Sequence, residues 1–216
     1  MGNFAPDEKL YTPEEQADLS VALVLLTLGV QKSPAPLLTL PLLLEWHQRF
    51  GQKVPRLEPG KLRSQLGMRA GFGRYRATPP EQVPEELRNL FADLQRIVVS
   101  IDEHLETNPD ASASMTLVEH VVRSSAWLHA HLVRIHPFAD GNGRLSRLAQ
   151  TWLLARYNLP APSFDDPEEY LTAINRFHDT APRHDVTALH ELSLKKILEA
   201  QRKVSKELAV RRRHIP

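Results

Sequence analysis

Leu87, Leu90, Phe91, Leu94, Ile97, Val98, Ile101 and Leu105 recur at three- and four-residue intervals. That is the period of one apolar stripe along an α-helix, and it predicts a long amphipathic helix over residues 85–106. Met115, Val118, Val122, Ala126, His129 and Val133 repeat the pattern over 115–135, and further helices are expected from Asn142 to Tyr157, over 167–179 and over 186–211. Near the start, Thr12-Pro13-Glu14-Glu15 has the form of an N-cap, a first-turn proline and two acids suited to the positive end of a helix dipole. The helix it opens should run to about Leu28 and end near Gly29. KSPAP then interrupts the chain, and Pro41 to Phe50 forms a short helix stopped by Gly51. Such a chain is mainly α.

Residues 51–84 break the pattern. They hold five of the nine glycines and five of the 17 prolines, with no helical apolar repeat. An irregular β-hairpin or flap is predicted near residues 62–77, inserted in an otherwise helical chain.

Composition excludes several classes. With 216 residues, 42% hydrophobic and 25% charged, the chain is long enough for a sizeable core and unlike a disordered one. Lys and Arg number 27 against 26 Asp and Glu, so a nucleic-acid coat is not expected. Arg211-Arg212-Arg213-His214 is better read as a solvated terminus than as a nucleic-acid contact. There is no cysteine, which removes disulfides, thiolate catalysis and Cys-ligated zinc, and is compatible with a reducing cytoplasm. The longest apolar run, Val21 to Val30, is about half the roughly 20 residues of a membrane span. It follows an acidic segment instead of a basic signal start, so it reads as a buried helix and no membrane contact is expected. An interface with a partner is the second reading of that run.

The chemistry concentrates in His136-Pro137-Phe138-Ala139-Asp140-Gly141-Asn142-Gly143-Arg144-Leu145-Ser146-Arg147. Pro137 biases His136 away from α conformation, so the preceding helix should end there with His136 facing a turn. Asp-Gly-Asn-Gly allows that turn to be tight and lets backbone N–H groups approach a ligand. Arg144 and Arg147 stand three apart at the start of the next helix, where its dipole repels cations. A polyphosphate of roughly −3 to −4 charge would remove that penalty. Asp140 beside an anion site is then explained by a bridging Mg²⁺, which one or two carboxylates and phosphate oxygens commonly hold. His136, with an ordinary pKa near 6.5, can be neutral and accept a proton.

These residues resemble the motif H-x-F-x-[D/E]-G-N-G-R-x-x-R of the Fic (filamentation induced by cAMP) family, with all eight specified side chains in register. Pro59-Gly60-Lys61-Leu62-Arg63, the flap segment, Pro79-Pro80 and Val83-Pro84 resemble the stretch holding that family's target-docking hairpin. The likeness covers residues 38–183, leaving a helical extension over 1–37 and a C-terminal helix with its basic tail over 184–216.

The resemblance implies a Fic-type helical fold and an Mg²⁺-dependent transfer of AMP from ATP to a Ser, Thr or Tyr hydroxyl of a target protein. It implies His136 as general base and Asp140 as the Mg²⁺ ligand. The Gly141–Gly143 backbone would form the anion hole, with Asn142 supporting the α-phosphate. Arg144 and Arg147 would hold the β- and γ-phosphates, and Phe138 would be a buried anchor. Relatives with an intact motif can transfer UMP and others move phosphocholine, and a nucleotide-binding module without turnover is the alternative of another class. The death-on-curing branch, which phosphorylates, carries lysine where this chain has Gly143.

Many members carry an inhibitory [S/T]-x-x-x-E-[G/N] helix. The nearest match here, Thr187-Ala188-Leu189-His190-Glu191-Leu192, has Leu192 in place of Gly or Asn. A separate antitoxin-like inhibitory partner is therefore one expectation. Location is expected to be cytoplasmic, with a secreted effector as the other setting. His129 and His131 are i, i+2 on a helix and point to different sides, so packing is expected of them rather than metal binding, as it is of His47 beside Trp46.

Overall fold

The structure is a computed structural model that describes residues 11–72, 74–108 and 114–213. Its helices are α1 (Pro13–Lys32), α2 (Leu40–Gly51), α3 (Val83–Thr107), α4 (Met115–Ile135), α5 (Asn142–Arg156), α6 (Pro167–Asp179) and α7 (Thr187–Arg213). One antiparallel hairpin, β1 (Gly71–Phe72) and β2 (Tyr75–Arg76), pairs Gly71 with Arg76 and Phe72 with Tyr75. The expected mainly α fold with a small hairpin is what forms. Of the Asn108-Pro109-Asp110 turn, Pro109 and Asp110 lie outside the described residues, as does His214 of the basic tail.

The predicted start of α1 closes as a capping box. Thr12 Oγ1 accepts from the Glu15 N–H, and Glu15 Oε2 accepts from the Thr12 N–H at 2.8 Å. The far end differs from expectation, because α1 passes through Gly29 to Lys32. A lone glycine costs a helix about 1 kcal/mol, less than burying Val30 (6% exposed) one residue later returns.

The apolar run inside α1 divides between two faces. Leu19, Leu26 and Val30 are buried, whereas Val21, Val24, Leu25 and Leu28 are 56–60% exposed. Of the run Val21–Val30 itself only Leu26 and Val30 are buried, so the expected core role holds for a minority of it. No helix among the described residues is long and apolar enough to cross a membrane.

α4 and α5 form the centre. Leu128, Leu132 and Ile135 of α4 and Leu145, Leu148 and Leu153 of α5 share a core with Leu87, Leu90 and Leu94 of α3 and the buried face of α1. The other side of α4 packs through Ala126 and Ala130 on Ile174 and Phe177 of α6 and Leu189 of α7. Trp152 of α5 is fully buried, and its indole N–H donates to the Ala35 carbonyl at 2.8 Å, fixing the α1–α2 linker. The loop between α4 and α5 thus springs from the two most enclosed helices, which leaves it little freedom to move.

The hairpin is tied down at its tip. Arg74 Nη2 donates to both oxygens of Asp179 at 2.6 Å, and the Tyr75 hydroxyl donates to the same carboxylate at 2.5 Å. The Tyr75 ring lies on His178 at 4.7 Å.

Candidate active site

Helix α4 ends as Pro137 requires. His136 is its C-cap in the left-handed region (φ 53°), and its N–H still donates to the Leu132 carbonyl at 2.9 Å. Few residues other than glycine adopt this conformation, and histidine is among those that tolerate it better. The ring bonds through Nδ1 to the Val133 carbonyl at 3.3 Å. A carbonyl only accepts, so Nδ1 carries the proton and the lone pair of the neutral ring sits on Nε2. Burial, aided by the charge of Arg63, pushes this imidazole down to about 4 against the opposing pull of Val133 and Asp140. It is neutral at physiological pH.

The loop is held from within. Asn142 Oδ1 accepts from the Phe138 N–H and Nδ2 donates to the Phe138 carbonyl, both at 2.9 Å. Its amide is committed to the loop and only 3% exposed, and its backbone N–H is among the first amides of α5. Phe138 is fully buried and stacks on His47 at 3.8 Å with 13° between the rings, while His47 Nδ1 accepts from the Gly60 N–H at 2.9 Å. The expected structural role of His47 is this brace.

The two loop glycines differ. Gly141 has φ 79°, and a Cβ there would stand 2.9 Å from Phe50 Cε1. Gly143 is helical, and a Cβ there would meet nothing within 4 Å. Helix α5 opens at Gly141 without a side-chain cap, which leaves its first amides to another acceptor.

Asp140 accepts from the Gly141 N–H and from the Tyr11 hydroxyl, and lies 3.6 Å from Arg144 Nη2. Arg144 spreads over Phe50 at 4.7 Å and over Tyr11 at 5.6 Å, and its Nη2 is buried with no hydrogen-bond acceptor. Burial first, and Asp140 second, hold the Tyr11 phenol well above its ordinary pKa, so it stays a donor.

Arg147 turns the other way, over Tyr170 at 5.0 Å. Tyr170 in turn joins a buried chain. Its hydroxyl bonds His129 Nε2 at 2.9 Å, His129 Nδ1 bonds Gln150 Oε1 at 2.7 Å, and Gln150 Nε2 donates to Ser193 Oγ at 3.0 Å. Because the amide oxygen only accepts, the His129 proton is on Nδ1 and Nε2 accepts from Tyr170. His131 packs against Trp127 and Phe177. No group of three His, Cys, Asp or Glu side chains among the described residues is arranged to hold a metal ion.

His136, Asp140, Gly141, Asn142, Gly143, Arg144 and Arg147 are therefore carried by a single turn, with the two arginines braced by different aromatics. Tyr11, Phe50 and Tyr170 were not legible as site residues, since each arrives from a distant helix or its approach. A polyphosphate with Mg²⁺ suits this donor set. Arg144 Nη2, buried without a hydrogen-bond acceptor, the uncapped amides of α5 and the open space at Gly143 all favour an anion, and Asp140 supplies the carboxylate for a hard cation.

A model of the family described as Fic/DOC matches residues 37–154. The chain belongs to the Fic/DOC family. Within that family it is similar to the Uridine 5'-monophosphate transferase of Xanthomonas campestris pv. campestris, 36% identical over 85 residues, which are 39% of this chain and 14% of that protein. It is also similar to Protein adenylyltransferase fic-1 of Caenorhabditis elegans, 26% identical over 159 residues, 74% of this chain and 27% of that protein. The chain thus spans about a quarter or less of the length of these relatives.

Its fold matches the structure of Fic-1 from C. elegans with a TM-score of 0.62 at 21% identity, over 89% of this chain and 52% of that one. It matches BepC of Bartonella tribocorum, solved with bound AMPPNP, with a TM-score of 0.59 at 14% identity, over 85% and 86% of the two chains. In this Fic chain the near-match to the inhibitory motif behaves as ordinary helix. Glu191 is exposed to solvent, and Leu192 is 6% exposed within the α4–α6–α7 core.

Proposed function

We propose that this chain is a protein adenylyltransferase that moves AMP from ATP to a Ser, Thr or Tyr hydroxyl of a target protein. The observation that carries the reading is the His136 ring, held neutral with its lone pair on Nε2, on the same turn as an uncapped helix start, Asp140 and two arginines. Relatives named protein adenylyltransferase support the class of reaction.

His136 Nε2 would take the hydroxyl proton while the oxygen bonds to the α-phosphorus and the bond to the β-phosphate oxygen breaks, releasing pyrophosphate. Arg144, Arg147 and the amides of Asn142 and Gly143 would hold the phosphates in line for displacement. Asp140 would hold Mg²⁺, which supplies charge neutralisation on the phosphates. The hairpin edge would take the target main chain as an added strand. An antitoxin-like partner and a cytoplasmic setting fit the missing inhibitory motif and the absence of cysteine. Both are part of this proposal.

Incubation of the full chain with Mg²⁺, cell lysate and ATP labelled at the α-phosphate should label protein. Label from the γ-phosphate should not rise above that of lysate without the chain, and a γ-label on protein that depends on the chain would refute the reading. UMP is the second donor to test, because the Xanthomonas relative carries that name. Faster labelling from UTP than from ATP would move the assignment to uridylyl transfer.

Two expectations arise at the loop, one from Gly143 within it and one from Tyr11 against it. Gly143→Ala should keep or raise the melting temperature, since alanine is favoured in a helix by about 1 kcal/mol, yet weaken ATP binding in calorimetry because its methyl fills the space at the phosphates. Equal ATP affinity in that variant would show that the space is not used. Tyr11→Phe removes the hydroxyl that shares Asp140 with the metal and should tighten Mg²⁺-ATP binding by about tenfold. Unchanged affinity would mean that the phenol and the metal do not compete.

A further inference from the structure

Arg63 is fully buried 73 residues before His136, and its side chain donates to four main-chain carbonyls. Nε donates to the His136 carbonyl at 2.5 Å, and Nη2 donates to the Ile135 carbonyl at 3.0 Å and to that of Thr78. Nη1 donates to the Met68 carbonyl at 3.1 Å. Its own N–H donates to the Pro137 carbonyl at 2.8 Å, and the Thr78 N–H donates to the Arg134 carbonyl at 3.3 Å.

Two features make this arrangement more than packing. The carbonyls of Ile135 and His136 end α4, where the helix dipole is negative and acceptors lack helical partners, so a cation belongs there. One of them is the carbonyl of a residue held at φ 53°, a conformation that must be fixed from outside. Met68 and Thr78, in turn, flank the hairpin on its two sides. A single rigid guanidinium therefore joins both roots of the flap to the peptide that orients the imidazole.

We infer that Arg63 is a positioning residue that sets His136 relative to the flap edge on which the target hydroxyl is presented. Its catalytic consequence rests on the transfer reading above, whereas its effect on the geometry of His136 does not. Lysine cannot replace it, because one ammonium has three donors and no fork with which to span three chain segments.

The test compares the full chain with Arg63→Lys. Expected are a cooperative melt, Mg²⁺-ATP affinity within about twofold of wild type, displaced His136 ring resonances in NMR spectra, and faster amide exchange at residues 68–78. Label transfer from ATP to lysate protein should fall by about 10²-fold, the effect of a displacement near 1 Å at a reacting group. A merely structural role would lower the melting temperature but leave the ring resonances and the transfer rate at wild-type values, and that result overturns the inference. If the lysine variant does not fold, Arg63→Gln is read by the same resonances. If wild type transfers no label, the proposed activity fails, and the resonances and amide exchange still decide the role of Arg63.

Discussion

His136→Ala should lower the proposed nucleotidyl transfer by about 10²–10⁴-fold, the usual contribution of a general base, while Mg²⁺-ATP affinity should stay within about twofold. The separation follows from the geometry. In the proposed reading the phosphate-facing groups are Arg144, Arg147 and the start of α5, whereas the His136 ring bonds to the Val133 carbonyl one turn back on α4. Its backbone makes the α4 cap and accepts from Arg63, and alanine preserves both groups. Initial rates with α-labelled ATP and calorimetry on the same preparation check the pair of results. The acid limb of the wild-type rate should lie near pH 4, because the ring must be neutral to accept a proton and its pKa is pushed down to about 4. Above that value the base contributes a flat profile. A limb near pH 6.5 would mean that the ring is solvated during the reaction.

The second large effect is on stability. Burial pushes His47 down to about 4 and His129 to about 3, and both rings are fully buried. The folded-state pKa values lie below the unfolded value near 6.5, so between about 6.5 and these values the unfolded chain binds more protons. Stability therefore falls as pH drops through 6.5 and continues to fall until the folded pKa values are reached. Each ring contributes a slope of about 1.4 kcal/mol per pH unit in that window. The two together give about 3 kcal/mol between neutral pH and pH ~5.5, or about 6–12 °C in melting temperature for a chain of this size. His131 and His178, pushed down to about 3 and about 4 by burial, act in the same direction. Thermal melts at pH ~7.5 and pH ~5.5 measure the difference. Equal melting temperatures would mean that the imidazoles of His47 and His129 are not neutral and enclosed.

The elements that were legible in the sequence are those with a local cause. Thr12 with Glu15 closes a box within three residues, Pro137 ends α4 at its neighbour, and the stripe from Leu87 to Leu105 needs only a helical period. The site loop was equally legible, because its glycines, acid and cations are adjacent in the chain. What could not be read has a non-local cause. Tyr11 reaches Asp140 across 129 positions and Arg63 reaches His136 across 73, and no spacing rule encodes either approach. The run Val21–Val30 of α1 is almost continuously apolar, so periodicity could not separate the buried Leu26 from the exposed Leu25. Nor does any spacing rule show what the Asn142 amide bonds to. Inside the fold, the nearer Phe138 main chain satisfies both of its ends.

The most direct test is the intact mass and fragment spectrum of the acceptor after the full chain has acted on it with Mg²⁺ and ATP. The account predicts a whole AMP group on the oxygen of a serine, threonine or tyrosine, absent when His136→Ala replaces the wild type. An added phosphate alone, or an unmodified acceptor in the presence of bound Mg²⁺-ATP, would contradict it.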